Sequence, residues 1–182
     1  MKENMIAGQF LPGLIKDEIL LNVFNEIDRE KYLPNELKYL AYSEINIKVA
    51  RDRYLISPFC LAKIIEKSSI KSQDVVLLVG SNYGYESAII SKISSAVMAL
   101  EENINFHKQA DINIKTNLID NVVNINGAFL KGSEKFSPFD VIILLGSGKN
   151  PSEELLHQLA NNGRLMICEN YNANIDESKL FM

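Results

Sequence analysis

The sequence predicts a doubly wound α/β protein with a mostly parallel sheet, and three observations carry that expectation. DVVLLV at Asp74–Val79 and FDVIILL at Phe139–Leu145 hold the apolar runs of strands covered on both faces. Strand-like and helix-like segments alternate from residue 73 onward, the pattern of successive βαβ units. Val75–Ala88 (VVLLVGSNYGYESA) breaks a buried run at Gly80, crosses a loop holding Gly84 and enters a helix, the outline of a nucleotide-binding turn.

Each element has a local cause. From Asp17, the spacing of Ile19, Leu20, Val23, Phe24 and Ile27 gives a helix with one apolar face. Glu30–Pro34 breaks it, and Glu36–Tyr42 reads as a second short helix. Ile45–Leu55 alternates at Ile45, Ile47 and Val49, as a strand or extended arm does. Ser57-Pro58 opens a helix with serine at the N-cap and proline at the first turn. Strands are expected at Asp74–Val79, Ala96–Leu100, Val122–Ile125, Phe139–Leu145 and Arg164–Cys168, and helices at Gly84–Ser94 and Asn103–Thr116. The asparagines make the second of these helices a weak one by propensity. Asn150-Pro151-Ser152-Glu153 reads as a capping box with proline at the first helical position, opening a helix through Leu159 that Gly163 terminates. The crevice at the carboxyl ends of the strands is the default ligand site, and Gly80–Gly84 sits there.

Composition narrows the function. The chain has 182 residues, a hydrophobic fraction of 47% and a net charge of −4, the profile of an ordinary globular domain. Its four arginines (Arg29, Arg51, Arg53 and Arg164) form no basic stripe, so nucleic acid is not an expected partner. Cys60 and Cys168 stand apart from each other and from His107 and His157, so no metal site is expected. The amino-terminal MKENMIAGQFLPG lacks the apolar core of a signal peptide, and no run is long enough to span a bilayer. A cytoplasmic protein without membrane partners is the expectation.

Four blocks in register then show a resemblance: REKYLPNELKYLAYSEINI (Arg29–Ile47), DVVLLVGSNYGYESA (Asp74–Ala88), PFDVIILLGS (Pro138–Ser147) and PSEELLHQLANNGRLMI (Pro151–Ile167). Together they resemble the protein-L-isoaspartate O-methyltransferases, S-adenosylmethionine enzymes that methylate isoaspartyl carboxylates in damaged proteins. The resemblance implies a Rossmann-like class I methyltransferase fold. Residues 1–72 would form an N-terminal helical and arm region packed on a cofactor-binding core of residues 73–182, one compact domain in all. It also implies that S-adenosylmethionine lies over Gly80, Ser81, Asn82 and Gly84, where small residues and the start of the next helix let backbone N–H groups approach. Glu101, directly after Val97–Leu100, would take the ribose hydroxyls. The partner would be a protein or peptide carrying isoaspartyl residues.

The chain departs from the family at named places. The family's loop carries an acid before the first glycine and a glycine in its middle; these places hold Leu78 and Asn82. The acid that often follows the third strand is missing at Asn126–Phe129. The family's acceptor serine stands two residues before the proline, whereas Ile56 holds that place and Ser57, the candidate catalytic residue, lies one position late. Only fourteen residues follow Cys168, too few for the family's closing strand hairpin, so an exposed sheet edge covered by a second copy in a homodimer is the expectation. Arg51 and Arg53 flank the acceptor segment and are candidates for pairing with a substrate carboxylate. Tyr83, Tyr85 and Phe59 are candidates for a groove wall. Gly146-Ser147-Gly148-Lys149 fails the phosphate-loop pattern, but follows an apolar strand and so borders the crevice. Three readings stay open: an isoaspartyl methyltransferase, a relative that has lost turnover and serves as a binding or assembly module, and a methyltransferase with another small acceptor.

Overall fold

The computed structural model describes residues 2–145, 151–168 and 178–181. A helical turn α1 (Lys2–Met5) runs on into a π-helical turn at Ile6–Phe10. Helix α2 (Glu18–Glu26) starts where the apolar spacing places it, with the Asp17 carboxylate accepting from the Leu20 N–H at 3.0 Å. The stretch expected as a second helix is a 3-10 segment, Asn35–Leu40, whose side chains are not buried and so give no packing to lengthen it. The extended arm is a two-stranded antiparallel hairpin of β1 (Ile47–Ala50) and β2 (Arg53–Leu55), with an irregular register between Lys48 and Ala50. Ser57 caps α3 (Pro58–Ser68) as its sequence predicts.

The central sheet has the order β5-β4-β3-β6-β7-β8. Its strands are β3 (Val75–Val79), β4 (Ala96–Glu101), β5 (Val122–Asn126), β6 (Phe139–Leu144), β7 (Leu159–Cys168) and β8 (Ser178–Phe181). Successive neighbours from β5 to β7 are parallel, and β8 adds antiparallel to β7. Helices α4 (Tyr85–Ser91), α5 (Ile104–Thr116) and α6 (Glu153–Leu156) connect the strands.

Strand β3 lies between two covered faces, which is why its apolar run is unbroken. Val76 and Leu78 join Phe10, Phe24, Leu61 and Ile89 in one cluster, so the N-terminal region shares a core with the sheet. Leu77 and Val79 point the other way, into a cluster with Phe139, Ile142, Leu155 and Ile167. Each fully buried leucine contributes about 1.5–3 kcal/mol relative to an exposed one. At the amino-terminal end of the sheet, Arg164 pairs with the buried Asp74 and donates to the Ser68 and Ser69 carbonyls at 3.0 and 3.1 Å, tying β7 to the end of α3.

The last helix and the strand after it also differ from expectation. The last helix covers only Glu153–Leu156; its cap is Ser152, whose hydroxyl accepts from Leu155 N–H, and Pro151 precedes the cap rather than following it. The chain then turns straight into β7, which pairs Leu159 with Phe139 and Arg164 with Val141. The additional residues on β7 bulge out around Asn162, at φ 63. Gly163 therefore ends no helix; a Cβ on it would meet the Ala160 carbonyl oxygen at 2.9 Å. The weak propensity of α5 is offset by specific bonds. Asn103 accepts from Asn105 and Phe106 N–H at its start, and buried Asn113 donates to the carbonyls of Tyr83 at 2.9 Å and Tyr32 at 3.4 Å.

Candidate functional site

The loop after β3 and the end of β4 meet at the carboxyl edge of the parallel sheet. Gly80 and Ser81 donate their N–H groups to the Leu100 carbonyl at 2.9 and 3.3 Å, so the loop leaves β3 folded onto its neighbour. Gly80, Asn82 and Gly84 have φ of 88, 47 and 91, left-handed conformations that glycine and asparagine reach at low cost. Asn82 at the family's middle-glycine place therefore keeps the turn. Its side chain is buried and donates to the Gly80 carbonyl at 3.1 Å. Leu78 lies wholly inside the core, pairing across the sheet with Ala99 and Ile143, and offers no acceptor to the crevice.

Glu101 stands at the last position of β4, its side chain 1% exposed. Its Oε1 accepts from Asn103 N–H at 2.9 Å and its Oε2 from Asn82 N–H at 3.0 Å. Arg53 of β2 reaches the same carboxylate: its Nη2 lies 2.6 Å from Oε2 and 2.8 Å from Asn82 Oδ1. The guanidinium carbon sits 5.4 Å from the ring centre of Phe106 and 5.1 Å from that of Phe129, with cation–π attraction to both. Arg53 thus lies over the loop–carboxylate junction, and Phe106 packs edge-on against Tyr83 with centroids 5.0 Å apart. Close by in sequence, Ser81 Oγ is buried without a hydrogen-bond partner among the described residues.

The acceptor side is differently built. Ile56 is buried in the core, and its carbonyl accepts from Arg29 Nη2 at 2.6 Å. Ser57 is buried as well: its hydroxyl accepts from Cys60 N–H at 3.3 Å and its N–H donates to Asn46 Oδ1 at 2.9 Å. Behind them, Arg29 lies 5.3 Å from the Tyr85 ring centre. Tyr85 Oη and Glu86 Oε2 are buried without a hydrogen-bond partner among the described residues. Burial pushes the Glu86 carboxyl above its ordinary range, with the Arg29 charge pulling it back. Burial also raises the Tyr85 and Tyr83 hydroxyls, and Tyr32 to about 12.

Of the other sequence candidates, Arg51 is 95% exposed beside Asp52, at 4.0 Å, and faces solvent. Tyr85 is fully inside the core, and Phe59 packs on Phe10 and Lys63. Tyr83 belongs to the rim through Phe106. Gly146–Lys149 lies outside the described residues. Among the described residues there is no cluster able to hold a metal ion, and no helix long and apolar enough to cross a membrane. No local pattern marks Phe106 or Phe129, which belong to different elements, or the pairing of Arg53 with Glu101 rather than with a substrate.

A family model described as protein-L-isoaspartate(D-aspartate) O-methyltransferase matches residues 1–178. The chain is 31% identical over 153 residues to the protein-L-isoaspartate O-methyltransferase of Aliivibrio fischeri, covering 84% of this chain and 74% of that protein. With the enzyme of the same name from Protochlamydia amoebophila it shares 29% identity, over 90% of this chain and 78% of that one. A solved protein-L-isoaspartate O-methyltransferase superimposes with a TM-score of 0.80 at 25% identity, over 92% of this chain and 55% of that one. A Plasmodium falciparum structure of that kind, in complex with S-adenosyl-L-homocysteine, gives 0.79 at 22% identity, over 93% of this chain and 85% of that one. The chain belongs to the protein-L-isoaspartate(D-aspartate) O-methyltransferase family.

Proposed function

We propose that the protein is an S-adenosylmethionine-dependent methyltransferase acting on isoaspartyl carboxylates in proteins, in a repair role and in the cytoplasm. The observation that carries this reading is the buried Glu101 carboxylate meeting the Gly80–Gly84 turn at the carboxyl edge of a parallel sheet, in a chain of this family. The residues fit the cofactor once Arg53 moves aside. The turn brings backbone close, the Ser81 hydroxyl is buried without a hydrogen-bond partner among the described residues, and Glu101 offers acceptors for two ribose hydroxyls. Gly80, Ser81, Asn82, Gly84 and Glu101 are the proposed cofactor residues.

S-adenosylmethionine supplies an electrophilic methyl group when bound. The protein's part is to bind, orient and exclude water, and an isoaspartyl carboxylate, ionised at neutral pH, needs no general base. Residues 1–72 would present the acceptor and residues 73–182 the cofactor. Ser57 is the candidate for positioning the acceptor, at the expense of its cap. A homodimer joined along the β8 edge belongs to the same reading.

A second reading, a relative that binds without turnover or serves as an assembly module, is favoured by Ile56 standing buried at the serine's place and by Leu78 at the acid's place. Titration calorimetry with S-adenosylhomocysteine, followed by methyl transfer to an isoaspartyl peptide, separates the two. Micromolar binding that Glu101→Ala abolishes, with turnover on the peptide, supports the enzyme. Binding without turnover supports the second reading. No binding at millimolar ligand, with Arg53 intact or replaced by alanine, overturns the enzyme reading and leaves the assembly module.

A further inference from the structure

We propose that Arg53 is an internal ligand of the cofactor site, holding the Glu101 carboxylate closed until the nucleoside displaces it, so that the β1–β2 hairpin sets the cofactor affinity. This rests on the cofactor reading above.

Three observations support the gate. The first is occupancy of acceptors. Backbone N–H groups of Asn103 and Asn82 already take one acceptor position on each carboxylate oxygen, and Arg53 takes a further one on Oε2 at 2.6 Å. Two ribose hydroxyls need the acceptor positions that remain, so the guanidinium and a bound ribose cannot both be served. The second is the shape of the slot. Arg53 holds a planar cation against the Phe106 and Phe129 rings with a carboxylate at its end, and only 20% of its side chain is exposed. A flat group stacked on aromatic rings and hydrogen-bonded at one end is also how a nucleoside is commonly held. Arg53 therefore imitates the ligand it excludes.

The third observation is the means of release. Arg53 is the first residue of β2, beside the tip of the hairpin, where Arg51 and Asp52 are exposed. The base of the hairpin is fixed: Ile47 and Leu55 are buried with Leu33 and Ala41. Among the described residues the hairpin pairs with no strand of the central sheet, so a shift of its tip would break no hydrogen bond of that sheet. Arg53 also removes a problem of the ligand-free protein, since a carboxylate this deeply buried is costly without a counter-charge. A buried pair of this kind is little screened by salt, so the closed state persists at physiological ionic strength.

A site open only about 1–10% of the time has its apparent affinity lowered roughly 100- to 10-fold. Removing the plug recovers that factor, a gain that loss of a merely structural arginine does not produce. The experiment is titration calorimetry of wild type, Arg53→Ala and Glu101→Ala with S-adenosylhomocysteine, with melting curves for each. Arg53→Gln, which keeps most of the stem, stands in if the alanine variant melts below the assay temperature. Tighter binding by about tenfold or more in the Arg53 variant, with loss in Glu101→Ala, is the expected result. Binding by the Arg53 variant alone, with none by wild type, is the strongest form of the same result. Equal or weaker binding overturns the gate and leaves the cofactor site standing. No binding by any variant overturns the gate together with the cofactor reading.

Discussion

Replacing Glu101 with glutamine tests the junction at the carboxyl edge through stability alone, without any ligand. Three donors converge on this carboxylate: Asn82 N–H at 3.0 Å, Asn103 N–H at 2.9 Å and Arg53 Nη2 at 2.6 Å. The amide of glutamine keeps one acceptor oxygen and turns an NH2 towards the remaining donors. One charge-assisted bond is lost, worth about 1.5–3 kcal/mol, and one buried donor is left without an acceptor, at about 1–3 kcal/mol. Removal of one partner from a buried ion pair costs about 3–5 kcal/mol by a separate route. Arg53 keeps some contact with solvent, at 20% exposure, which places the expected loss at the lower end, about 3 kcal/mol. For a chain of this length that is roughly 6–12 °C in melting temperature. The assay is scanning calorimetry of wild type, Glu101→Gln, Arg53→Gln and the double variant. A coupling above about 1.5 kcal/mol, changing little between low and moderate salt, is expected. A single variant melting within about 2 °C of wild type, with coupling below about 0.5 kcal/mol, refutes the pair as a structural contact.

Other substitutions separate stability from binding. Arg164→Ala breaks the pair with Asp74 and the bonds to Ser68 and Ser69, at the sheet end away from the loop. It should lose about 3–5 kcal/mol in denaturant titration while S-adenosylhomocysteine affinity stays put. Ser57→Ala removes the α3 cap and should lower stability by about 1 kcal/mol, read in the same titration; unchanged stability would contradict the capping role. Glu86 predicts a pH effect. Burial raises its folded carboxyl above 4.5, so the folded chain binds the proton more tightly than the unfolded chain. The stability from that proton is complete below the unfolded value and falls as pH climbs through the raised one. Arg29 and Arg53 oppose the shift, Glu101 adds to it, and the net direction is upward. Glu86→Gln should therefore match wild type near pH 4 and melt higher at neutral pH; a lower melting point there would reverse the sign.

The strands were legible because both faces of the sheet are covered, so Val75–Val79 and Phe139–Leu144 carry runs that no exposed segment needs. Helix α3 was legible through its Ser57-Pro58 start. The end of α6 was not. Glycine at position 163 marks a close backbone approach in a bulge as readily as a helix stop, and local sequence does not distinguish them. The site was legible in part. The turn follows from strand–loop order, since it stands directly after an apolar run, and Glu101 was picked out by the family resemblance. The slot does not, because Arg53, Phe106 and Phe129 come together only through the crossing of a hairpin, a helix and a 3-10 turn. Side chains gathered from three separate elements leave no period or spacing in the chain.

The carboxamide of Asn113, donating at once to Tyr32 and Tyr83, acts as a rivet through three layers. Fluctuations of the N-terminal region are thereby relayed to the base of the glycine turn without passing through the strands. In hydrogen exchange, α5, the turn around Tyr83 and the segment near Tyr32 should open as one cooperative unit instead of fraying separately. Asn113→Leu, close in volume but without a donor, would uncouple their exchange rates, and a stretch remote in sequence would regain its own clock.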